Sequence, residues 1–311
     1  MSDPGRGPEG VATRGVIVLA CGRHYEVETG GGRRLHAFPR TRRESFVCGD
    51  RVAIEEQDAH HAIIVSAEPR ASLLHRSDAM RERRIAANVD QVVVIAATEP
   101  AFSDELITRA LVAAEHQALG ALLVLNKIDL AARLAEARSR LAPFAAAGYA
   151  IVEISALRDA AALRPWLAGR LSVLVGGSGA GKSSLVNALL PHAGAQTGEI
   201  SRALDSGRHT TSLARLYRLD ASSAIIDSPG MQLFGLAHVP GEALAGCFPE
   251  LRPYAGRCRF RDCGHDREPG CAVREAIDSG ALGAVRHAHF LRLAAELSRS
   301  RRGMPQAFEA R

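Results

Sequence analysis

Residues 176–183 have the spacing of a phosphate-binding loop: a glycine, four further residues and then Gly-Lys-Ser. The segment follows the apolar run 171–175 and precedes residues 184–190, whose pattern favours a helix. A glycine-rich turn between strand and helix lets backbone N–H groups surround a β-phosphate, and the helix N-terminus adds partial positive charge. A glycine turn with a chance lysine would not explain these flanks. The segment therefore predicts a nucleotide-binding α/β domain.

This loop supplies most of the expected nucleotide contacts. Lys182 is expected to reach the β- and γ-phosphate oxygens and to act in catalysis, and Ser183 is expected to bind Mg²⁺. The predicted nucleotide contacts of the loop are Gly176, Gly177, Ser178, Gly179, Ala180, Gly181, Lys182, Ser183 and Ser184.

A second motif predicts the base. Asn126, Lys127, Ile128 and Asp129 close the apolar run 121–125, so they lie at the carboxyl end of a strand, where ligands bind in open α/β sheets. An aspartate that accepts from N1–H and the exocyclic amine of guanine would be left unpaired by adenine. The motif therefore favours GTP and disfavours an ATPase or kinase. Ser155 and Ala156, after the strand-like segment 149–154, add a predicted backbone contact to the guanine carbonyl.

Lysine usage points to the same site. The chain has 39 basic residues of the Lys and Arg types, and only Lys127 and Lys182 are lysines. Arginine has replaced lysine wherever either cation serves, which leaves lysine where a compact ammonium on a flexible stem is needed.

The order of the motifs indicates a circularly permuted GTPase, because the guanine motif precedes the phosphate loop. The first switch is assigned to 207–211 and the second, Asp-x-x-Gly, to 227–230. Ser183, Thr210, Thr211 and Asp227 are the expected Mg²⁺ ligands, and Gly230 is expected to contact GTP.

Taken together, the permuted order, the phosphate loop, Gly-Arg-His-Thr-Thr, Asp-Ser-Pro-Gly and Ala-Asn-Val-Asp-Gln at 87–91 resemble the ribosome small subunit-dependent GTPase A family (RsgA, also called YjeQ). The resemblance covers about residues 16–297. It implies a GTP hydrolase stimulated by the small ribosomal subunit, which binds its rRNA and acts in late 30S maturation. The same flanking basic domains fit an alternative, a GTP-dependent RNA-binding switch for a different RNA or ribonucleoprotein.

Three cysteines and a histidine lie within 14 residues, at Cys258, Cys263, His265 and Cys271. Three thiolates and an imidazole suit a closed tetrahedral Zn²⁺ site, whose metal replaces the core that a short loop cannot build. A reduced loop with fortuitous cysteines is the alternative, and the resemblance favours zinc because these positions match the family's ligands. The other cysteines, Cys21, Cys48 and Cys247, are expected to be small buried apolar residues.

Short alternating runs broken by Gly, Pro and Asp between residues 15 and 65 predict a five-stranded β-barrel. The resemblance implies an OB fold. Arginines clustered in this region suit phosphate contacts on RNA, and they are Arg33, Arg34, Arg40, Arg42 and Arg43. Residues 1–75 hold as many acids as arginines, so a solvated loop face is the competing interpretation.

The predicted organisation has three domains. An OB barrel with an N-terminal tail occupies 1–72, the permuted GTPase 73–238, and a zinc domain with helices 239–311. A charged linker at 70–84 leads into alternating strands and helices, with helices at about 103–119, 130–147, 272–279 and 282–299. No run of about 18 apolar residues is present, so a cytoplasmic protein without membrane contact is expected. The protein is also expected to be a monomer.

The second switch departs from many GTPases. Their water-orienting glutamine follows Asp-x-x-Gly directly, whereas this chain has Met231 there and Gln232 one place later. Slow intrinsic hydrolysis is therefore expected. The resemblance offers His209 as the catalytic water-orienting residue, with a surface histidine on a loop as the alternative.

Overall fold

The computed structural model describes residues 12–78, 81–190, 214–227 and 235–303, with side chains omitted at 76–78, 81–83 and 300–303. Its first 56 described residues form a barrel in which inward and outward side chains alternate. The five strands are β1 (Thr13–Cys21), β2 (His24–Thr29), β3 (Arg34–Pro39), β4 (Arg51–Glu56) and β5 (His61–Ala67).

The barrel closes because β1 pairs with both β2 and β4, and the remaining strands follow the order β2-β3-β5-β4. Tyr25 and Val27 of β2 are buried while their neighbours face outward, as a two-residue period requires. Their core partners include Ile17, Leu35 and Ile54, which are almost fully buried. The predicted five-stranded barrel is confirmed.

The charged segment after the barrel is not a plain linker, in contrast to the prediction. It forms an antiparallel hairpin of β6 (Leu73–Asp78) and β7 (Arg81–Ala87). Leu74 and Ala86 of the hairpin are buried in the core of the next domain. The two strands were not predicted because charged residues interrupt the alternating apolar pattern that normally indicates a strand.

The nucleotide-binding half is a mainly parallel sheet with helices on both faces, as predicted. Its strands are β8 (Gln91–Ala97), β9 (Gly120–Asn126), β10 (Ala150–Glu153), β11 (Leu171–Gly176), β12 (Ala214–Arg218) and β13 (Ala224–Asp227). They lie in the order β10-β9-β8-β11-β13-β12, and only β12 runs antiparallel to its neighbour in this half. Every residue of β8 is buried because both faces of the sheet are covered.

Helices cover the two faces of this sheet separately. Val92 and Val94 of β8 belong to one core, and Val93 and Ile95 belong to the other. The helices are α1 (Asp104–His116), α2 (Leu134–Ala146), α3 (Arg164–Leu167) and α4 (Lys182–Leu189). The hydroxyl of Ser103 caps α1 by accepting from the N–H of Leu106.

Barrel and sheet are one continuous structure. Strand β1 pairs with β12 through Leu19 opposite Arg215 and Ala20 opposite Ala214. The eleven strands therefore form a single sheet in the described part of the chain. Strand β12 was not among the predicted elements, because two of its five residues, Arg215 and Arg218, are arginines and they fall on opposite faces of the strand.

The C-terminal part packs on α1 and α2. It contains short 3-10 turns between 241 and 254, followed by α5 (Ala272–Asp278) and α6 (Ala284–Gly303). Phe290 and Leu293 of α6 join the same core as Phe144 of α2. Within the described ranges, no helix combines the length and apolar character that crossing a bilayer requires.

Candidate functional site

The phosphate loop joins the end of β11 to the start of α4. Gly179 and Gly181 have φ values of +73° and +93°, which lie in the left-handed region that side chains other than glycine rarely adopt. A Cβ atom on Gly181 would also collide with the side-chain amide of Asn126. The loop can therefore curl tightly only because these positions are glycine.

Lys182 begins α4, and its ammonium contacts the start of the phosphate loop. Its Nζ donates to the carbonyl oxygens of Gly176 at 2.7 Å and Gly177 at 2.9 Å. Burial lowers the pKa of Lys182, while the carboxylate of Asp227 opposes that shift. Asp227 lies beside the loop because it pairs in register with Leu174 of β11. Ser183, the next residue of α4, is exposed.

Asn126 connects the three predicted nucleotide motifs and is 1% exposed. Its Nδ2 donates to the carbonyl of Ala180 in the phosphate loop at 2.9 Å. Its Oδ1 accepts from the N–H of Lys127 at 2.8 Å and from the N–H of Ala156 at 2.9 Å. One amide thus holds together the predicted base-binding turn (residues 126–130), the Ser-Ala segment (155–156) and the phosphate loop.

Asp129 lies in the turn that follows β9 and is partly exposed. The hydroxyl of Ser155 is the main cause of the lowered pKa of its carboxyl group. Asp129 is therefore ionised at neutral pH and can accept hydrogen bonds from a ligand. Lys127, two residues before Asp129, has φ +63°, and its Nζ donates to the carbonyl of Glu99 at 2.7 Å.

Three residues of this site were missed by the sequence reasoning: Thr98, Glu99 and Pro100. They follow β8, which lies between β9 and β11, and so reach the edge where both motifs meet. Pro100 packs against the phosphate loop, since a Cβ on Gly179 would lie 3.1 Å from its Cδ. The position of β8 in the sheet, which its unbroken apolar run indicates, is the signal that could have found them.

The four predicted zinc ligands come together in the C-terminal part, where three of them are half-buried and Cys271 is buried. Nδ1 of His265 lies 3.5 Å from Sγ of Cys258 and 3.5 Å from Sγ of Cys271, and these two sulfurs are 4.0 Å apart. All four ligand atoms, including that of Cys263, lie within 4.8 Å of one another. Tetrahedral zinc with bonds of about 2.0 to 2.3 Å separates its ligands by roughly 3.5 to 3.8 Å. The donor set and its spacing fit Zn²⁺.

Neighbouring groups fix the shape of this cluster. The carboxylate of Glu268 accepts from the N–H groups of Gly264, Asp266 and Arg267 at 2.8 to 3.0 Å. The backbone N–H of Glu268 itself, and then these three N–H groups, lower the pKa of its carboxyl group. His287 Nε2 lies 2.7 Å from the carbonyl oxygen of His265 and so ties α6 to the cluster.

The five arginines predicted to bind RNA lie on the outside of the barrel. Three of them already pair with acids of the barrel: Arg33 with Glu56, Arg34 with Glu28 and Arg40 with Glu55. Arg42 and Arg43 are exposed and make no ion pair with the part of the chain that the structure describes. Their role in RNA binding stays a prediction.

Comparison with known proteins supplies the family. The family model described as RsgA GTPase matches residues 67–237. The small ribosomal subunit biogenesis GTPase RsgA of Burkholderia pseudomallei is 48% identical over 294 residues, covering 93% of this chain and 94% of that protein. The chain belongs to the RsgA GTPase family. An RsgA of Ralstonia nicotianae is 48% identical over 287 residues, which cover 90% of each chain.

Solved structures agree with this assignment to the RsgA family. YjeQ from Thermotoga maritima superposes with a TM-score of 0.73 at 28% identity, over 95% of this chain and all of the other. YloQ, a circularly permuted GTPase, shares the fold with a TM-score of 0.71 at 24% identity, over 97% of this chain and all of that one. The predicted family, fold class, permutation and enzyme class are confirmed: the protein is a GTPase.

Several predicted residues of this RsgA GTPase lie outside the described residues. They are His209, Thr210, Thr211, Gly230, Met231 and Gln232. Of the predicted Mg²⁺ ligands, Ser183 and Asp227 are described. An RsgA GTPase acts on GTP with Mg²⁺, and the assignment of individual ligands stays a prediction.

Proposed function

We propose that this RsgA protein hydrolyses GTP on the small ribosomal subunit and thereby serves late maturation of the 30S particle. The observation that carries the proposal is the Asn126 junction, which connects a guanine-binding turn to a phosphate loop in a chain 48% identical to small ribosomal subunit biogenesis GTPases. The partners are then GTP, GDP and the small subunit with its rRNA, and the protein works in the cytoplasm as a monomer.

The described residues account for binding and for charge stabilisation. The carboxylate of Asp129 would accept from the guanine edge, while Lys182 would exchange its two backbone carbonyls for phosphate oxygens. Bound Mg²⁺ would neutralise phosphate charge, with Ser183, Thr210, Thr211 and Asp227 as the residues that hold it. Lys182 would then stabilise the negative charge that develops as the bond between the γ-phosphoryl group and GDP breaks.

The water-orienting group belongs to the first switch in this proposal. Met231 occupies the usual glutamine position and has no polar group to place a water, so His209 is the proposed replacement. Docking on the subunit would order the segment that carries His209, which makes hydrolysis depend on the particle.

The flanking parts complete the proposal. The barrel (1–72) would contact rRNA through the five arginines, the GTPase occupies 73–238, and residues 239–311 hold one structural Zn²⁺ through Cys258, Cys263, His265 and Cys271. The close approach of three sulfurs and one nitrogen supports the metal assignment.

The test is steady-state GTP turnover of the full chain alone, with purified small subunits and with large subunits. Stimulation by small subunits only is the expected result, and His209→Ala should lose most of it while GTP affinity stays near wild type. Full stimulation of His209→Ala would assign water orientation to Gln232 or the ribosome. Absence of stimulation by small subunits would contradict the function itself and favour a switch for another RNA.

A further inference from the structure

We propose that Thr98 is a positioning residue for guanine recognition, which holds the turn that presents Asp129. The inference rests on the proposed function, because it takes Asp129 as the residue that reads guanine. Thr98 follows β8 directly and belongs to none of the nucleotide motifs in the sequence.

The contact is a shared carbonyl. The N–H of Leu130 donates to the carbonyl of Lys127 at 2.9 Å and closes the four-residue turn that contains Asp129. The hydroxyl of Thr98 donates to the same carbonyl oxygen, also at 2.9 Å. The N–H of Thr98 donates to the preceding carbonyl, that of Asn126, at 3.2 Å. Thr98 therefore holds two consecutive carbonyls at the start of the turn.

This turn needs such support because Lys127 has a left-handed backbone. A lysine at φ +63° is unfavourable on its own and persists only where its neighbours fix it. Asn126 Oδ1 holds the N–H of Lys127, and Thr98 holds its carbonyl. Thr98 is only 2% exposed, so water does not compete readily for its hydroxyl.

The residues after Thr98 extend the contact to the phosphate loop. Glu99 offers its carbonyl to the ammonium of Lys127, and Pro100 packs on Gly179. Residues 98–100 thus touch both the base-binding turn and the phosphate loop from a third strand. Thr98 is the member of this segment whose side chain, and not only its backbone, carries a hydrogen bond to the turn.

Base selectivity should report the position of this turn. A carboxylate that accepts from N1–H and the exocyclic amine of guanine at once depends strongly on its placement. Inosine nucleotides lack that amine and leave a single hydrogen bond. A displaced Asp129 therefore weakens GDP binding more than IDP binding, whereas general damage weakens both alike.

The experiment compares Thr98→Val, which removes the hydroxyl at nearly constant volume, with Thr98→Ser, which keeps it. Affinities of the full chain for GDP and IDP are measured by calorimetry. Thr98→Val should weaken GDP binding about three- to tenfold, the equivalent of one hydrogen bond, and IDP binding less than about twofold. Thr98→Ser should keep the wild-type ratio of the two affinities.

The inference would be overturned if Thr98→Val weakened GDP and IDP binding equally, or if it left both affinities unchanged. If Thr98→Val does not fold, as thermal melting would show, Thr98→Ala against Thr98→Ser decides the same question. A wild-type protein that does not prefer GDP to IDP would instead refute guanine recognition by Asp129. If the wild-type protein prefers GDP to IDP and Thr98→Val keeps the same preference, only the role of Thr98 is refuted.

Discussion

Gly181 shows how a single residue constrains the nucleotide site. Its left-handed backbone starts α4, and its missing side chain leaves room for the amide of Asn126. Any larger residue would push that amide away from Ala180 and Ala156, which both depend on it. The junction between the motifs therefore requires glycine at this position for two independent reasons.

Gly181→Ala is expected to lower the free energy of unfolding by about 1–3 kcal/mol, through backbone strain and the displaced Asn126 amide. Gly177→Ala is the matched control, because a Cβ there meets no atom within 4 Å. Denaturant unfolding of the nucleotide-free protein measures both. Equal effects at the two glycines would show that Asn126 does not need the space.

Asp129→Asn is expected to exchange guanine for xanthine recognition. The carboxylate accepts from the exocyclic amine of guanine, and an amide can instead donate to the carbonyl that xanthine has there. Competition binding with GDP and XDP measures the exchange, with Thr98→Ser as a control that keeps the carboxylate. Unchanged GDP affinity in Asp129→Asn would remove this residue from the site.

At the scale of elements, α6 is fixed to the GTPase half by a buried cation. The guanidinium of Arg286 lies 4.8 Å from the ring centre of Phe144 and 4.9 Å from that of Phe248. It donates to Glu250 at 2.7 Å and to the hydroxyl of Thr108 in α1 at 3.2 Å. The Arg286 side chain is only 3% exposed, so breaking its ion pair with Glu250 would leave a buried charge without a partner.

Arg286→Met is therefore expected to destabilise the chain by about 3–5 kcal/mol, because Glu250 would keep an uncompensated buried charge. Adding Glu250→Leu should recover part of the loss, since both charges are then gone. Denaturant unfolding of the single and double variants measures the difference. Additive losses would show that the two side chains act independently.

The zinc cluster is the other element whose stability can be tested alone. Cys263→Ala is expected to reduce bound zinc from one ion per chain to none and to loosen the segment around α5, because the metal replaces a core there. Nucleotide affinity should change less than about twofold. Cys21→Ala, which is remote from the cluster, is the control, and metal analysis of chelator-free protein is the measurement. A zinc-free wild type would contradict the metal assignment.

Elements with a clear period or motif were predictable from sequence. The barrel strands, β8 and the loop before α4 had alternating, unbroken or glycine-marked patterns that depend on local chemistry alone. The hairpin β6–β7 and strand β12 were missed, because their arginines obscure the period and their pairing depends on distant strands. Thr98 was missed for the same reason, since its partner Lys127 is brought to it only by the sheet.

At the scale of the whole molecule, one sheet passes through two functional regions. Strand β12 hydrogen-bonds to β13 of the nucleotide-binding half on one side and to β1 of the barrel on the other. Arg218 of β12 also pairs with Glu28 of the barrel, with Nε 2.8 Å from Oε1. Strand β12 begins at Ala214, three residues after the predicted switch residue Thr211.

The pairing of β1 with β12 has a consequence for shortened chains. A sheet that ends in an unpaired strand presents a row of free N–H and C=O groups, on which another polypeptide can assemble. The barrel covers the start of that edge, so a GTPase fragment beginning at residue 73 would leave β12 unpaired at Ala214 and Arg215. Such a fragment is expected to aggregate or to pair with its own copies, and its core would also lose Val18 and Cys48, which the barrel region contributes. In this protein the barrel thus covers part of a sheet edge that would otherwise be open to self-association.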